Sequence, residues 1–349
     1  MIGILFHGPE VFDSGWALRL INAFPDGRFM LAGTMSRTAL FDSKIKNVES
    51  PREQPSKCLK ILASSCSSVL IATKGKDQIS GLVFGRMVAN RAAVDIPVIF
   101  AECSGPVYGI LSGFCPSTIS TSLQNLGFNE VSVPEVEMKI FKEDNLLCRR
   151  MTTAKKDEFV LVNGIVIGRS LGREIVFYTD GRSIKQVHGV KIKKHGLEKL
   201  ERLGGVDIKT AKLASTSMLR KQRISVRQEH SFGKGVVFID HAGMYIYELA
   251  ANSAGAVTVG DDTTAIAGDI LRRFNIPVIG ITDGDGDGLH KGGFAIGSVI
   301  LRVKADDKEG LRVLKKIFCG RKRTTAPFNE VKKKILNFLS TRILSFKEF

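Results

Sequence analysis

Three stretches decide the fold: Val236-Val-Phe-Ile-Asp240, Ala256-Val-Thr-Val-Gly-Asp-Asp-Thr-Thr264 and Ile276-Pro-Val-Ile-Gly-Ile-Thr-Asp283. Each is a short apolar run closed by a polar turn, the pattern of a strand buried on both faces. Between them, Met244–Asn252 and Ala265–Phe274 are predicted to be helical. Strands alternating with helices call for a mostly parallel sheet. Such sheets hold ligands at the carboxyl ends of their strands.

The same grammar opens the chain. Ile2–His7, Phe29–Gly33, Ser68–Ala72 and Ile96–Ala101 read as strands. A helix presents Trp16, Leu20, Ile21 and Phe24, with Asp13 or Ser14 as its cap. Another helix runs through Ser80–Asn90. The polar loops His7–Glu10, Thr34–Thr38, Thr73–Asp77 and Glu102–Gly105 then fall on one strand edge. The middle of the chain differs. Asn163-Gly164 and Asp180-Gly181 lie between β-rich runs and signal two hairpins. The fold expected is α/β: two Rossmann-like lobes with mostly parallel sheets, joined by a small antiparallel β element. The boundaries are 1–150, 151–234 and 235–349. After Arg321, the residues Ile335, Leu336, Leu339, Ile343 and Leu344 recur at helical spacing and predict an amphipathic C-terminal helix.

A chain of 349 residues with 44% hydrophobic and 25% charged residues is built like an ordinary globular protein. No uninterrupted apolar run is long enough for a membrane span. The N-terminus lacks a basic region and a cleavage site, so a cytoplasmic location is expected. The net charge is +16. Residues 151–235 carry 18 basic and 8 acidic groups, net +10, against +2 before and +4 after. That excess attracts phosphate-bearing partners, nucleic acid included. It also suits a lysine-rich solvated surface. The six cysteines (58, 66, 103, 115, 148 and 319) have no C-x-x-C spacing, which argues against a zinc ribbon or redox dithiol. They read as buried thiols in a reducing compartment. G-x-S-x-G, H-E-x-x-H, Walker A and complete G-x-G-x-x-G motifs are missing, which disfavours serine hydrolases, zincins, P-loop enzymes and standard dinucleotide folds.

Three groups of residues could carry chemistry. Gly260, Asp261, Asp262, Thr263 and Thr264 follow a strand and precede a helix, where free amides hold phosphate. Asp261 and Asp262 would repel bare phosphate, so they fit Mg²⁺ or a sugar hydroxyl. A plain helix cap explains part of the same pattern. Asp283, Asp285 and Asp287 alternate with glycine. Asp262, Asp283, Asp285 and Asp287 could ligate a divalent metal, and Asp283 or Asp285 could act as a base. Position twelve of a calcium loop would be Phe294, which rejects an EF-hand. In the N-terminal lobe, His7, Glu10 and Asp13 cluster at a strand end opposite Ser36 and Arg37, with His7 and Glu10 as cofactor contacts. Lys74 and Lys76 could neutralise a second phosphate.

His7-Gly-Pro-Glu-Val-Phe-Asp-Ser-Gly15, Gly33-Thr-Met-Ser-Arg-Thr-Ala39, Lys194–Lys199, Ile239–His241 and Val257–Asp285 are long, specific blocks. Through them the chain resembles a domain-of-unknown-function family of methanogenic and related archaea, over nearly its whole length. Phe12 and Ser36 stand where that family leads one to expect an aliphatic residue and glycine. The resemblance implies an archaeal cytoplasmic protein and no particular activity. Locally, Gly260–Thr264 with Pro277–Asp283 resembles the phosphate turn of phosphofructokinases and NAD kinases. That resemblance implies phosphate at 260–264 and a base or metal ligand at Asp283 or Asp285. Asp261 and Thr263 replace glycines of that turn.

Three functions are therefore expected as alternatives. The first is a Mg²⁺-dependent enzyme or binding protein for a phosphorylated small molecule or nucleotide, including a phosphotransferase. The second is a nucleic-acid-binding protein using the basic 190–234 region. The third is a non-catalytic interaction protein. Sequence assigns no oligomeric state.

Overall fold

The computed structural model describes all residues except 52, 134–139, 153, 164, 217–232, 241–244 and 285–292. The chain divides into two compact units, Met1–Arg220 and Lys221–Phe349. The fold is mixed α/β, with largely parallel sheets and small antiparallel ones.

The first unit opens with β1 (Ile2–His7), α1 (Glu10–Asp13), α2 (Trp16–Ala23), β2 (Arg28–Ala32), α3 (Thr34–Ser43) and α4 (Pro55–Ala63). It continues through β3 (Ser68–Thr73), α5 (Gln78–Ala92), β4 (Val98–Glu102), β5 (Val107–Ser112), α6 (Ser117–Asn125) and β6 (Asn129–Glu130). The six strands form one sheet in the order β2-β1-β3-β4-β5-β6, parallel except at the β4–β5 pair. Every residue of β3 is buried, as its unbroken apolar run requires. One face packs Ile4, Phe6 and Leu31 against Leu20 and Ile21 of α2 and Leu123 of α6. The other packs Leu5, Met30 and Ile71 against Leu59 and Leu62 of α4 and Val88 of α5. Each such fully buried side chain contributes about 1.5–3 kcal/mol.

The same unit continues through antiparallel strands β7 (Ile140–Glu143), β8 (Leu146–Met151), β9 (Phe159–Val162) and β10 (Ile165–Ser170). Then come β11 (Ile175–Asp180), β12 (Ser183–His188), β13 (Val190–Ile192), α7 (Lys194–Arg202) and β14 (Leu213–Thr216). They make two four-stranded sheets, β13-β10-β9-β14 and β12-β11-β8-β7. Val160, Val162, Ile167, Ile175 and Phe177 fill the core they share. The two hairpins expected from Asn163 and Asp180-Gly181 are the β9–β10 and β11–β12 pairs.

The second unit contains β15 (Val236–Asp240), α8 (Ile246–Leu249), β16 (Gly255–Val259), α9 (Asp261–Leu271), β17 (Val278–Thr282) and β18 (Val299–Val303). After these come α10 (Asp306–Lys316), β19 (Arg323–Thr324), α11 (Phe328–Leu339) and β20 (Ile343–Glu348). The sheet order is β19-β15-β16-β17-β18-β20, with β15 to β18 parallel and both edge strands antiparallel. α8 and α9 cover one face, and α10 and α11 cover the other.

Several boundaries differ from the sequence reading. Thr34–Thr38 is not a loop but the start of α3, and Asp261–Thr264 is the first turn of α9. Threonine, serine and aspartate suit a loop and a first helical turn equally, so polarity misplaces the start. Asp13 and Ser14 do not cap the Trp16 helix: Asp13 ends α1, and Gly15, at φ 77, occupies the cap. Of the helix expected over Met244–Asn252, Met244 lies outside the described residues and the α-helical part is α8, Ile246–Leu249. The C-terminal helix stops at Leu339, and Ile343 and Leu344 belong to a strand instead. Cys319 is exposed and Cys115 half-buried, whereas the other four cysteines are buried thiols as expected. Among the described residues, no helix is long and apolar enough to cross a membrane.

Candidate functional site

In the first unit, β1 lies between β2 and β3, parallel to both. The chain leaves β1 for one side of the sheet and later resumes on the other. A crevice opens at the carboxyl ends of strands at such a reversal. His7 and Gly8 lie at this place. The His7 ring stacks on Phe84 of α5, with centroids 4.3 Å apart and planes at 22°. Burial lowers its pKa to about 4, so the imidazole is neutral at pH 7. Gly8, at φ 87, donates its amide to Ser36 Oγ at 2.9 Å. A Cβ on Gly8 would lie 3.4 Å from Glu10 Oε2 and 3.7 Å from Thr73 Oγ1.

Gly33 ends β2 at φ 105 and ψ 137 and is exposed. It precedes α3, which has no side-chain cap. A Cβ here would stand 3.0 Å from Ser36 Oγ and 3.6 Å from the His7 ring. Three strand ends and one helix start therefore meet around His7, Gly8, Glu10, Gly33, Ser36 and Thr73. The first turn of α3, Thr34-Met-Ser-Arg37, holds no acid. Its amides and dipole favour an anion.

The loop after β3 is tied to the antiparallel region of the same unit. Lys76 Nζ lies 2.5 Å from Glu158 Oε2 and donates to Ser215 Oγ at 2.8 Å and to the Ser215 carbonyl at 2.9 Å. The Glu158 side chain is only 7% exposed. Lys155 donates to the Lys76 carbonyl, and Arg173 pairs with Asp77 at 3.3 Å. Asp77 caps α5 by accepting the Ser80 amide at 2.8 Å. Burial opposes its ionisation, but Ser80, Arg173 and Lys155 together hold its carboxyl below the usual range. Lys76, considered for a phosphate, is thus committed to Glu158 and Ser215.

Glu102, at the end of β4, is fully buried. Its Oε1 accepts the amides of Gly75 and Ser104, each at 2.8 Å, whereas Oε2 has no partner. Burial outweighs those two donors and raises its pKa. A side chain at Gly81 would overlap Oε2, so glycine lets α5 close over the carboxyl.

In the second unit, Asp240, Gly260 and Asp283 end or follow the neighbouring strands β15, β16 and β17. Gly260, at φ 95 and ψ 142, donates its amide to the Ile281 carbonyl at 3.0 Å. Asp261 and Thr263 are each 5% exposed, and Asp262 is half-buried. Thr264 is fully buried: its hydroxyl bonds Thr258 Oγ1 at 2.8 Å, and its methyl faces Gly280. Arg302 Nε donates to the Asp283 carbonyl at 3.4 Å. Asp285, Asp287, His241, His290 and Lys291 lie outside the described residues. Among the described residues, no group of three or more His, Cys, Asp or Glu is placed to hold a metal.

The sequence places His7–Glu10, Thr34–Thr38 and Thr73–Asp77 on one strand edge, but singles out only His7, Glu10 and Ser36 there and gives Gly8, Gly33 and Thr73 no role. Gly8-Pro9 and Gly33-Thr34 directly after strands were the available signals. Glu102 was placed on that edge only as part of the Glu102–Gly105 loop, and Glu158 carried no signal, because its partner Lys76 is distant in sequence.

The fold and these strand edges define an α/β protein with two parallel-sheet lobes. Comparison with known proteins places it more narrowly. The family model described as "Uncharacterized protein conserved in archaea (DUF2117)" matches residues 4–321. The chain is 33% identical to "Uncharacterized protein MJ0065" of Methanocaldococcus jannaschii over 356 aligned positions, covering 96% of both chains. The chain belongs to this archaeal family. A solved structure titled "GsuK channel bound to NAD" aligns at 12% identity with a TM-score of 0.22, over 97% of this chain. This chain spans 65% of the length of that one, and at this TM-score no property passes between them.

Proposed function

We propose that the protein binds a phosphorylated small molecule of the nucleotide class at the β1–β3 strand reversal. The observation that carries this reading is the Gly33 turn. It is an exposed glycine at positive φ opening an uncapped helix whose first turn holds no acid. Phosphate would lie on the α3 amides, with Ser36 and Gly8 as its floor. Glu10, beside Gly8, suits a sugar hydroxyl or a Mg²⁺ carried by the phosphates. His7, neutral at pH 7, offers a ring nitrogen without a repelling or attracting charge. The aspartates at 261 and 262 make the Gly260 turn the poorer phosphate seat.

Thermal melts of the full chain with ATP, GTP, NAD and NADP, each with and without Mg²⁺, test this. A ligand at a hundred times its Kd stabilises by about 2.7 kcal/mol, a resolvable shift. The reading expects a shift with at least one of them, and none with any would contradict it.

One observation favours nucleic-acid binding as a second reading. Lys191, Arg169 and Phe159 lie opposite one another across β13, β10 and β9, with the Arg169 guanidinium 4.1 Å from the Phe159 ring centroid. A cation row beside an aromatic ring fits a single strand. Most of the basic stretch after Thr216 lies outside the described residues. RNA affinity should then fall steeply with salt, and a flat response would exclude this reading.

A further inference from the structure

From Gly310 through Asn329 the sequence has six basic residues and no acid. The flanking acids are already engaged: Glu309 pairs with Arg312 at 2.7 Å, and Glu330 with Lys334 at 2.6 Å. Five cations are left, Lys315, Lys316, Arg321, Lys322 and Arg323. All five are exposed, and among the described residues none of them forms an ion pair. A soluble surface ordinarily intersperses the two signs of charge. This one does not.

The backbone holds these cations in a fixed array at the end of α10 and the start of β19. Phe318 is buried against Phe238, with ring centroids 5.4 Å apart. Cys319 at φ 52 and Gly320 at φ 76 then reverse the chain, and Gly320 donates its amide to the Leu314 carbonyl at 2.9 Å. Beyond the turn, Phe238 donates its amide to the Lys322 carbonyl at 2.9 Å, and Arg323 and Thr324 pair with β15. Arg323 Nη2 donates to the Leu249 and Ala251 carbonyls at 2.7 and 2.9 Å, which leaves its charge uncompensated. A backbone tied at so many points loses little freedom when a ligand binds.

The chemistry of the array selects its partner. Clustered charge of one sign attracts a polyanion, which gains affinity from the counterions released. Between Leu311 and Leu344 no aromatic side chain is exposed, so an unpaired base has no ring to stack on. Leu311 is 51% exposed one turn before Lys315, but a single leucine is too little apolar surface to enter a bilayer. A duplex offers a phosphate charge about every 1.7 Å of its axis, more densely than a single strand. We infer that the α10–β19 turn binds the phosphate backbone of a double-stranded nucleic acid, without regard to base sequence. This surface uses none of the residues of the Phe159–Arg169–Lys191 row.

Fluorescence anisotropy of the full chain with labelled DNA and RNA duplexes of about 30 base pairs, from about 50 to 200 mM salt, reads this directly. Four to five phosphate contacts give a slope of about −4 in log affinity against log salt, a loss of more than about a hundredfold across that range. Duplexes of unrelated sequence bind alike, and a single strand binds more weakly. A variant combining Lys315→Gln, Lys316→Gln, Arg321→Gln and Lys322→Gln loses most of that slope and about thirtyfold or more in affinity at low salt. A control combining Lys46→Gln, Lys60→Gln, Lys142→Gln and Lys156→Gln, all at exposed positions, makes the same change in net charge and costs less than about threefold. Melting curves confirm that each variant folds. Arg321→Gln alone, which should reduce the slope by about one, carries the test if the combined variant does not fold. The inference is overturned by a wild type that binds neither duplex, by a control that loses as much as the patch variant, or by a single strand bound more tightly than the duplex. Retention on phosphatidylserine vesicles that depends on the four patch residues also overturns it, and assigns the surface to a membrane.

Discussion

After β2 the chain passes through Gly33 at φ 105 and ψ 137 and enters α3 on Thr34-Met-Ser. After β16 it passes through Gly260 at φ 95 and ψ 142 and enters α9 on Asp261-Asp-Thr. The backbones agree within about ten degrees, and neither helix has a side-chain cap. The side chains differ in kind. α9 answers its own dipole with two carboxylates, whereas the first turn of α3 brings hydroxyls and holds no acid. The strand ends beside them differ too: β1 ends on a neutral histidine, β15 on Asp240. The same turn thus opens on acids in one unit and on hydroxyls in the other, and the proposed anion seat rests on that difference.

The largest effect is expected at Lys76, which is structural if the α3 turn is the seat. Lys76→Met leaves the buried Glu158 carboxylate with the Lys155 amide but no cation and should cost about 3 kcal/mol in urea unfolding. Nucleotide affinity of the folded variant should not change, and a drop would move Lys76 into the site. Gly33→Ala and Gly260→Ala should each cost about 2 kcal/mol, because both force a Cβ into a positive-φ conformation. Only Gly33→Ala should also lower affinity, and equal losses from both would erase the distinction.

His7 sharpens the contrast through pH. Its folded pKa is about 4 against an ordinary 6.5, so the unfolded chain takes up the proton first as pH falls. Stability is full above pH 6.5 and declines as pH drops toward about 4. The decline attributable to His7 is on the order of 1–2 kcal/mol, given its residual solvent contact. His7→Gln should flatten that part of a stability–pH curve. An unchanged slope would mean the ring is not desolvated. The smallest effect is expected from Asp262→Asn, which removes one favourable dipole contact worth about 0.5 kcal/mol. A loss of nucleotide binding in that variant would return the site to the second unit.

The strands were legible because their apolar runs are buried on both faces: β3 and β16 have no exposed residue. The strand-edge location of His7 and Glu10 followed from the same alternation. Helix starts at Thr34 and Asp261 were not legible, because capping residues do not declare on which side of the boundary they fall. Ile343 and Leu344 continued the spacing of α11, and only pairing with β18 makes them a strand. The Lys76–Glu158 pair joins residues 82 apart in sequence, which no local pattern can announce.

The most direct test exchanges the chemistry of the two turns. Thr34→Asp places in α3 the residue that opens α9. Isothermal titration with whichever nucleotide shifts the wild-type melt then compares wild type, Thr34→Asp and Asp262→Asn. The account predicts that Thr34→Asp lowers affinity about tenfold or more while raising stability by about 0.5 kcal/mol, since a carboxylate there suits the helix and repels phosphate. Asp262→Asn should bind as wild type does. Undiminished binding by Thr34→Asp, with loss in Asp262→Asn, would contradict the account and place the phosphate at Gly260.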